Sequence, residues 1–403
     1  MRQDYLAVGL MIVLAFVGTV AFRVSIPAVA FYTRSVLEAS ALGVGLLTSA
    51  FFAARAIFAV VSGGLADKYG YRVLYFSAAA FLLNAAIVNL YAATTSLPGV
   101  LLIRFMQGAF NGIAWVPVQA VLGRLVPKPV RGRVYSIYFA LGSLGGMAGN
   151  AIYAELAEAP IAAVLTVSAI SFAASSALVL ATAALVRGLE LGLLRGGARR
   201  GGGRDSGGAA VAAGLLGVVP LVIIVLGSSM FNSVIRGDLI YVYMNEVFQL
   251  PGEVVARYIA LSSLIALPVS YLLSWVSDRV SDAASLRISL GLAFVGALLI
   301  GSTWRELALV GLAMAYGGFS GVVPVTRRVA ITKYRLGGTA LGLVNAFGNV
   351  GNVVGAALAG YLYDIVGVVV VSGVALPILI MTLPVIASLA AAFLAAGSRK
   401  VRE

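Results

Sequence analysis

The chain has no cysteine and no histidine among its 403 residues. The first absence removes disulfides, thiol nucleophiles and thiolate metal sites, though it says nothing about redox compartment. The second removes imidazole ligands and the side chain that titrates nearest neutral pH. Charge is scarce as well, at 11% of residues, where a soluble domain carries about 25%. Only four lysines occur, against 24 arginines. Hydrophobic residues fill 61% of the chain, and the mean hydropathy is +1.03. This composition excludes a soluble enzyme and a disordered tail, and leaves a protein whose solvent is mostly lipid. No metal site and no cofactor is expected.

A membrane helix needs about 20 consecutive apolar residues. Twelve such segments are predicted, at 5–31, 41–65, 73–93, 97–124, 134–155, 160–187, 210–244, 255–277, 286–303, 306–326, 338–362 and 369–396. Nothing reads as the short alternating strands of a membrane barrel. If the N-terminus is cytoplasmic, 21 of the 28 Lys and Arg residues fall in cytoplasmic segments. The opposite side holds only Arg34, Arg257 and Arg305, and four arginines lie within spans. That asymmetry is the positive-inside pattern. It places the protein in the cytoplasmic (inner) membrane with both termini cytoplasmic. It also explains the net charge of +13 without nucleic acid.

The longest polar interruption, Arg187–Gly208, is rich in Gly and Arg and reads as a flexible cytoplasmic linker. It separates an N-terminal six-helix bundle, 1–186, from a C-terminal one, 209–403. The halves match each other weakly. Arg23 corresponds to Arg236, Asp67 to Asp278, and Pro117 to Pro324. Repeats of this sort are how many secondary transporters are built, with a midplane site between the halves.

After the second span the chain reads Gly63-Gly64-Leu65-Ala66-Asp67-Lys68-Tyr69-Gly70-Tyr71-Arg72. This resembles the signature loop of the major facilitator superfamily, with Tyr71 where a basic residue is usual. A degraded copy, Ser277-Asp278-Arg279, follows the eighth span. The resemblance covers essentially the whole chain. It implies an all-α membrane protein of twelve transmembrane helices in two pseudo-symmetric bundles that moves a solute by alternating access. It further implies that Gly63, Asp67, Gly70 and Arg72, with Arg131 or Arg133, latch the halves on the cytoplasmic side. Gly63 and Gly70 are expected to allow close helix approach and a sharp turn.

An ionisable group inside a span costs about 2.5–3.5 kcal/mol on insertion scales and usually faces the protein interior. Arg104 heads a polar stripe with Gln107, Asn111, Trp115 and Gln119. The run Arg104–Gly108 resembles the superfamily's span-4 motif, where the arginine is often structural. Arg236 follows Ser229, Asn232 and Ser233 on one face. Arg23 lies 18 residues into its span, about 27 Å along the axis, which leaves a cavity or the outer interface open to it. Arg55 is read as structural or gating. Asn345, Asn349 and Asn352 share a face of the eleventh span, and Tyr138 is the corresponding residue of the fifth. Asp238, the one acid within a span, is placed toward the outer end of the seventh as a candidate proton site.

The stretch from Ile235 to Leu239 and on through Tyr243–Val247 is similar to span 7 of the organophosphate:phosphate antiporters. Arg23–Pro27 resembles the related anion:cation symporters. Those resemblances imply that Arg23 and Arg236 bind an anionic substrate, and the polar stripes lead us to expect Arg104, Asn111, Tyr138, Asn345 and Asn349 nearby. The fifth span has no Gly-Pro motif, which weakens, without excluding, a proton-coupled drug or amphiphile exporter. No pore motif points to a channel and no catalytic cluster points to an enzyme. The expected partners are a small-molecule substrate, a coupling proton or counter-anion, and membrane lipid, with the protein a monomer.

Overall fold

The computed structural model describes residues 2–195, 211–302, 304–332, 337–367, 369–371 and 374–397. Apolar runs become helices because only a helix or a closed barrel satisfies its own backbone in lipid. The first half contains α1 (Arg2–Phe31), α2 (Ala41–Tyr69), α3 (Val73–Val88), α4 (Leu97–Leu125), α5 (Lys128–Glu155) and α6 (Ile161–Arg195). The second contains α7 (Val211–Arg236), α8 (Leu239–Phe248), α9 (Gly252–Arg279), α10 (Asp282–Ile300), α11 (Arg305–Thr332), α12 (Gly337–Val366), α13 (Leu376–Met381) and α14 (Leu383–Gly397). The seventh span is α7 with α8, and the twelfth is α13 with α14.

Among the described residues, ten spans are long and apolar enough to cross a membrane. The remaining two helices, α5 and α12, have 28 and 30 residues. Both are glycine-rich, and α5 starts with Lys128, Arg131 and Arg133, which lowers their apolarity without shortening them.

The packing repeats between halves. Helix α1 lies against α5 and α6, α2 against α4, and α3 against α4 and α6. In the second half α7 lies against α12 and α14, α9 against α11, and α10 against α11 and α14. Between halves, α2 packs on α12 and α5 on α9. Exchanging the halves maps each of these contacts onto another, which is the signature of a pseudo-twofold axis. Pro117 in α4 and Pro324 in α11 sit inside equivalent helices.

Three expectations need correction. Helix α6 runs to Arg195 and so takes in the first nine residues of the segment read as linker, while 196–210 lie outside the described residues. The predicted twelfth span begins late, because Val370–Val371 pairs antiparallel with Val374–Ala375; a β-branched run favours strand over helix. The seventh span is broken at Gly237-Asp238. A side chain at Gly237 would strike the Ser233 carbonyl and Thr48, so glycine lets the second half approach α2 at the break.

Candidate functional site

A cavity of about 280 Å³ lies where α1, α2, α4 and α5 face the break between α7 and α8. Its charged lining residues are Arg23, Arg55, Arg104, Arg236 and Asp238. Asn111, Trp115, Gln119 and Tyr138 also line it, with Phe22, Phe51, Phe52 and Phe139.

Arg23 and Arg236 both face this space rather than lipid. An Arg23 Nη donates to the Arg236 carbonyl at 3.0 Å. Arg236 in turn donates to the Tyr316 carbonyl at 3.1 Å, and its guanidinium carbon stands 4.6 Å from the Tyr316 ring centroid. These partners are neutral. The Arg236 Nε is buried without a hydrogen-bond partner. Two guanidinium groups thus meet at the α7–α8 break, and neither is paired with a carboxylate among the described residues.

Arg104 is different. It forms a buried ion pair with Asp238, and both side chains are almost fully enclosed, at 3% and 2% exposure. The other Asp238 oxygen accepts from the Thr48 hydroxyl at 2.6 Å, and the Asp238 amide donates back to that hydroxyl at 2.9 Å. Arg104 also reaches Gln107 at 3.3 Å, whose amide oxygen accepts from the Tyr91 hydroxyl at 2.8 Å. Asp238 therefore does not lie at the outer end of its span. It lies at the cavity and ties the second half to α2 and α4. The continuous apolar count over 210–244 concealed the break that brings it there.

Tyr138 is buried, with its ring edge-on to Trp115 at 6.4 Å. Asn111 is buried, and its amide oxygen has no partner. Asn349 is on α12 and is not among the lining residues, and the Asn345 side chain lies outside the described residues. Thr48 and the phenylalanine pair on α2 were missed in the sequence. Arg55 joins the lining and sits 5.7 Å over the Phe52 ring. Thr48, Phe52 and Arg55 recur at helical spacing, and that was the available signal.

One end of the bundle is tied across the halves. Arg34, in the π-helical turn Tyr32–Val36 after α1, forms a two-pronged pair with Glu246 of α8 at 2.5 and 3.2 Å. Glu246 also accepts from Tyr363 at 2.9 Å. Asp364 of α12 accepts from the first two amides of α2, Ala41 and Leu42, at 2.8 Å each. A cap on a helix start is normally local; this one comes from the other half. Gly45 and Gly360 allow the two backbones to touch, since a side chain at Gly360 would meet the Ala41 carbonyl at 2.5 Å.

The other end carries the signature loop. Helix α2 stops at Tyr69, and Gly70 takes φ +58°, so the turn there needs glycine. A side chain on Gly63 would meet nothing within 4 Å, so the close packing expected at Gly63 is not present in this state. Arg72 is exposed. Arg131 donates to the Val126 carbonyl at 3.1 and 3.2 Å. The Asp67 side chain lies outside the described residues. In the second half Arg328 pairs with Asp278 and, at 3.3 Å, with Asp282.

The family model of the Major Facilitator Superfamily matches residues 10–334 and, separately, 221–402. The chain belongs to that superfamily. It is therefore a multi-pass membrane transporter rather than an enzyme. The MFS-type transporter ppzB of Metarhizium rileyi is 29% identical over 168 residues, 40% of this chain and 34% of that protein. The chloroplastic ascorbate transporter of Arabidopsis thaliana is 30% identical over 112 residues, 27% of this chain and 21% of that one. The chain thus matches only about a third or less of the length of these curated relatives. Among solved structures, a bacterial homolog of the human lysosomal transporter Spinster, inward-facing and occupied, superposes with TM-score 0.72 at 13% identity. That match covers 98% of this chain and 97% of the other. The nucleoside transporter NupG gives 0.64 at 14%, covering 98% and 99%. These structural likenesses establish the fold alone.

Proposed function

We propose that this superfamily member is a secondary active transporter that moves a small organic or phosphorylated anion by alternating access. The observation that carries the reading is the pair Arg23 and Arg236, contributed by equivalent helices of the two halves to one cavity. The acid lining that cavity is already engaged by Arg104. Arg cannot shed its charge, so an anion is the ligand that suits Arg23 and Arg236. A guanidinium can give two parallel hydrogen bonds to a carboxylate or phosphate, which a lysine cannot. Ascorbate, the solute of the chloroplast relative by its name, is an organic anion too, though its charge sits on an enolate rather than a carboxylate.

The proposed topology has both termini in the cytoplasm, with halves 1–186 and 209–403 joined by 187–208. In that orientation the Arg34–Glu246 end is outer and closed, so the cavity belongs to an inward-facing state. The loop residues Asp67 and Arg72 would latch the halves in the opposite state. Asp238, held by Arg104 and Thr48, fits a fixed counter-charge better than the proton carrier expected from sequence. The ring-rich lining keeps a second reading, a proton-coupled exporter of drugs or amphiphiles, in play.

The test is a thermal-shift screen of the purified protein against carboxylates, phosphorylated compounds, neutral solutes and organic cations. A ligand of the folded state raises the melting temperature. Stabilisation by anions, lost in Arg236→Lys, is the expected result. Stabilisation by cations alone would put the exporter first.

A further inference from the structure

Every aromatic ring of the cavity lining comes from the first half. Phe22 is on α1, Phe51 and Phe52 on α2, Trp115 on α4, and Tyr138 and Phe139 on α5. The second half supplies Arg236, Gly237 and Asp238. The rings form two connected rows. In one, Phe172, Phe22, Phe51 and Phe52 meet edge to face at 4.7, 5.9 and 5.4 Å. In the other, Phe81, Trp115, Tyr138 and Phe139 do so at 5.4, 6.4 and 5.3 Å. Rings packed in such rows hold one another in place, so the cavity keeps an aromatic wall, over which Arg55 stands 5.7 Å from the Phe52 centroid and Arg104 5.8 Å from the Phe51 centroid. Asn111 lies on the α4 face that also carries Trp115. It is 5% exposed, and its amide oxygen meets no donor. Leaving a buried polar atom unpartnered is unfavourable, so a ligand group that bonds it is favoured.

Resting on the anion reading above, we propose that the substrate is an aromatic anion that also bears a hydroxyl or amino group. Its carboxylate or phosphate meets Arg23 and Arg236. Its ring lies against the first-half wall, where offset or edge-on contacts add to simple burial. Its hydroxyl or amino group donates to Asn111. The volume of about 280 Å³ lies just below the range of ligand pockets, about 300 to 1,000 Å³, and suits a single-ring compound better than a lipid.

The experiment is a thermal-shift titration of the purified full chain with five matched probes at equal concentrations up to tens of millimolar. They are 4-hydroxybenzoate, benzoate, hexanoate, 4-hydroxybenzamide and benzylamine. The expected order is 4-hydroxybenzoate, then benzoate, then hexanoate, with the neutral amide and the amine silent. In Phe52→Leu with Phe139→Leu, affinity for benzoate should fall about threefold to tenfold while that for hexanoate stays. Asn111→Ala should erase the advantage of 4-hydroxybenzoate over benzoate. The ligand-free melting temperature of each variant shows whether it folds, and the wild-type order needs no variant at all. Equal shifts with hexanoate and benzoate would overturn the aromatic assignment and leave the anion reading standing. Shifts with the amide or the amine, or no shift with any probe, would overturn both.

Discussion

The two ends of the helix bundle are built differently. At one end the polar contacts cross between halves: Arg34 to Glu246, Asp364 to the start of α2, and the exposed pair Arg257 to Glu155. At the signature-loop end the contacts described stay inside a half. Arg124 donates to the Ala66 carbonyl, Arg131 to Val126, and Arg328 pairs with Asp278 and Asp282. A permanently closed interface would be apolar. The ion pairs at this end add little to the packing of α2 on α12, since exposed pairs contribute about 0–1 kcal/mol each. The difference therefore fits a molecule caught with one end shut by contacts that can be exchanged for others. Between the ends, the Arg104–Asp238 pair is fully buried, and the same logic makes it a fixture of the present state.

The largest expected effect is at that buried pair. Asp238→Asn strands the Arg104 guanidinium without its counter-charge, and breaking a buried pair from one side costs about 3–5 kcal/mol. The melting temperature should fall sharply, and adding Arg104→Gln should restore much of it. Failure of the double variant to recover would mean that Asp238 acts through something other than Arg104.

Next in size are Arg23→Lys and Arg236→Lys. Each keeps the charge and loses the paired donors. Anion affinity in the thermal-shift titration should drop about tenfold to a hundredfold, as expected for about 1.5–3 kcal/mol of charge-assisted bonding. Unchanged affinity would remove the two arginines from the binding site.

Asp364→Asn should loosen the closed end only. Losing the cap on α2 is worth about 1 kcal/mol, roughly a fivefold shift between closed and open populations. The chain has no native cysteine, so Ser49→Cys, at a position hydrogen-bonded across the interface to Val353, gives a unique reporter. Its labelling by a maleimide should be faster in the Asp364→Asn background.

The smallest effect on stability is expected at the opposite end. Asp67→Asn should leave the melting temperature where it is and slow transport into vesicles, because the proposed latch would form only in the other state. Unchanged turnover would reduce the signature loop to a turn.

Much of this was legible in the sequence. Span number and pairing of halves follow from apolar length and from the loop arginines, since both answer to lipid and neither to detail. The equivalence of Arg23 and Arg236 is visible because the repeat keeps both. The partner of Arg104 was not legible. Asp238 reaches it from 134 positions away, across a helix break that a hydropathy count runs straight through. The ion pair across the halves was hidden for the same reason: Arg34 and Glu246 are 212 positions apart, and each alone reads as an interfacial charge. The ring wall was hidden differently. Phenylalanine inside an apolar span looks the same whether it faces lipid, core or cavity.

The central claim is that the two ends exchange their closure around an anion site. It is tested most directly by distances between spin labels on cysteines introduced in pairs. Ser35→Cys with Trp304→Cys reports the Arg34–Glu246 end, and Tyr69→Cys with Val280→Cys reports the signature-loop end; all four positions are exposed. Distances are recorded with and without a stabilising anion. The account predicts opposite changes, with the first pair lengthening in the population where the second shortens. Two distances that stay fixed, or that change in the same sense, would contradict it.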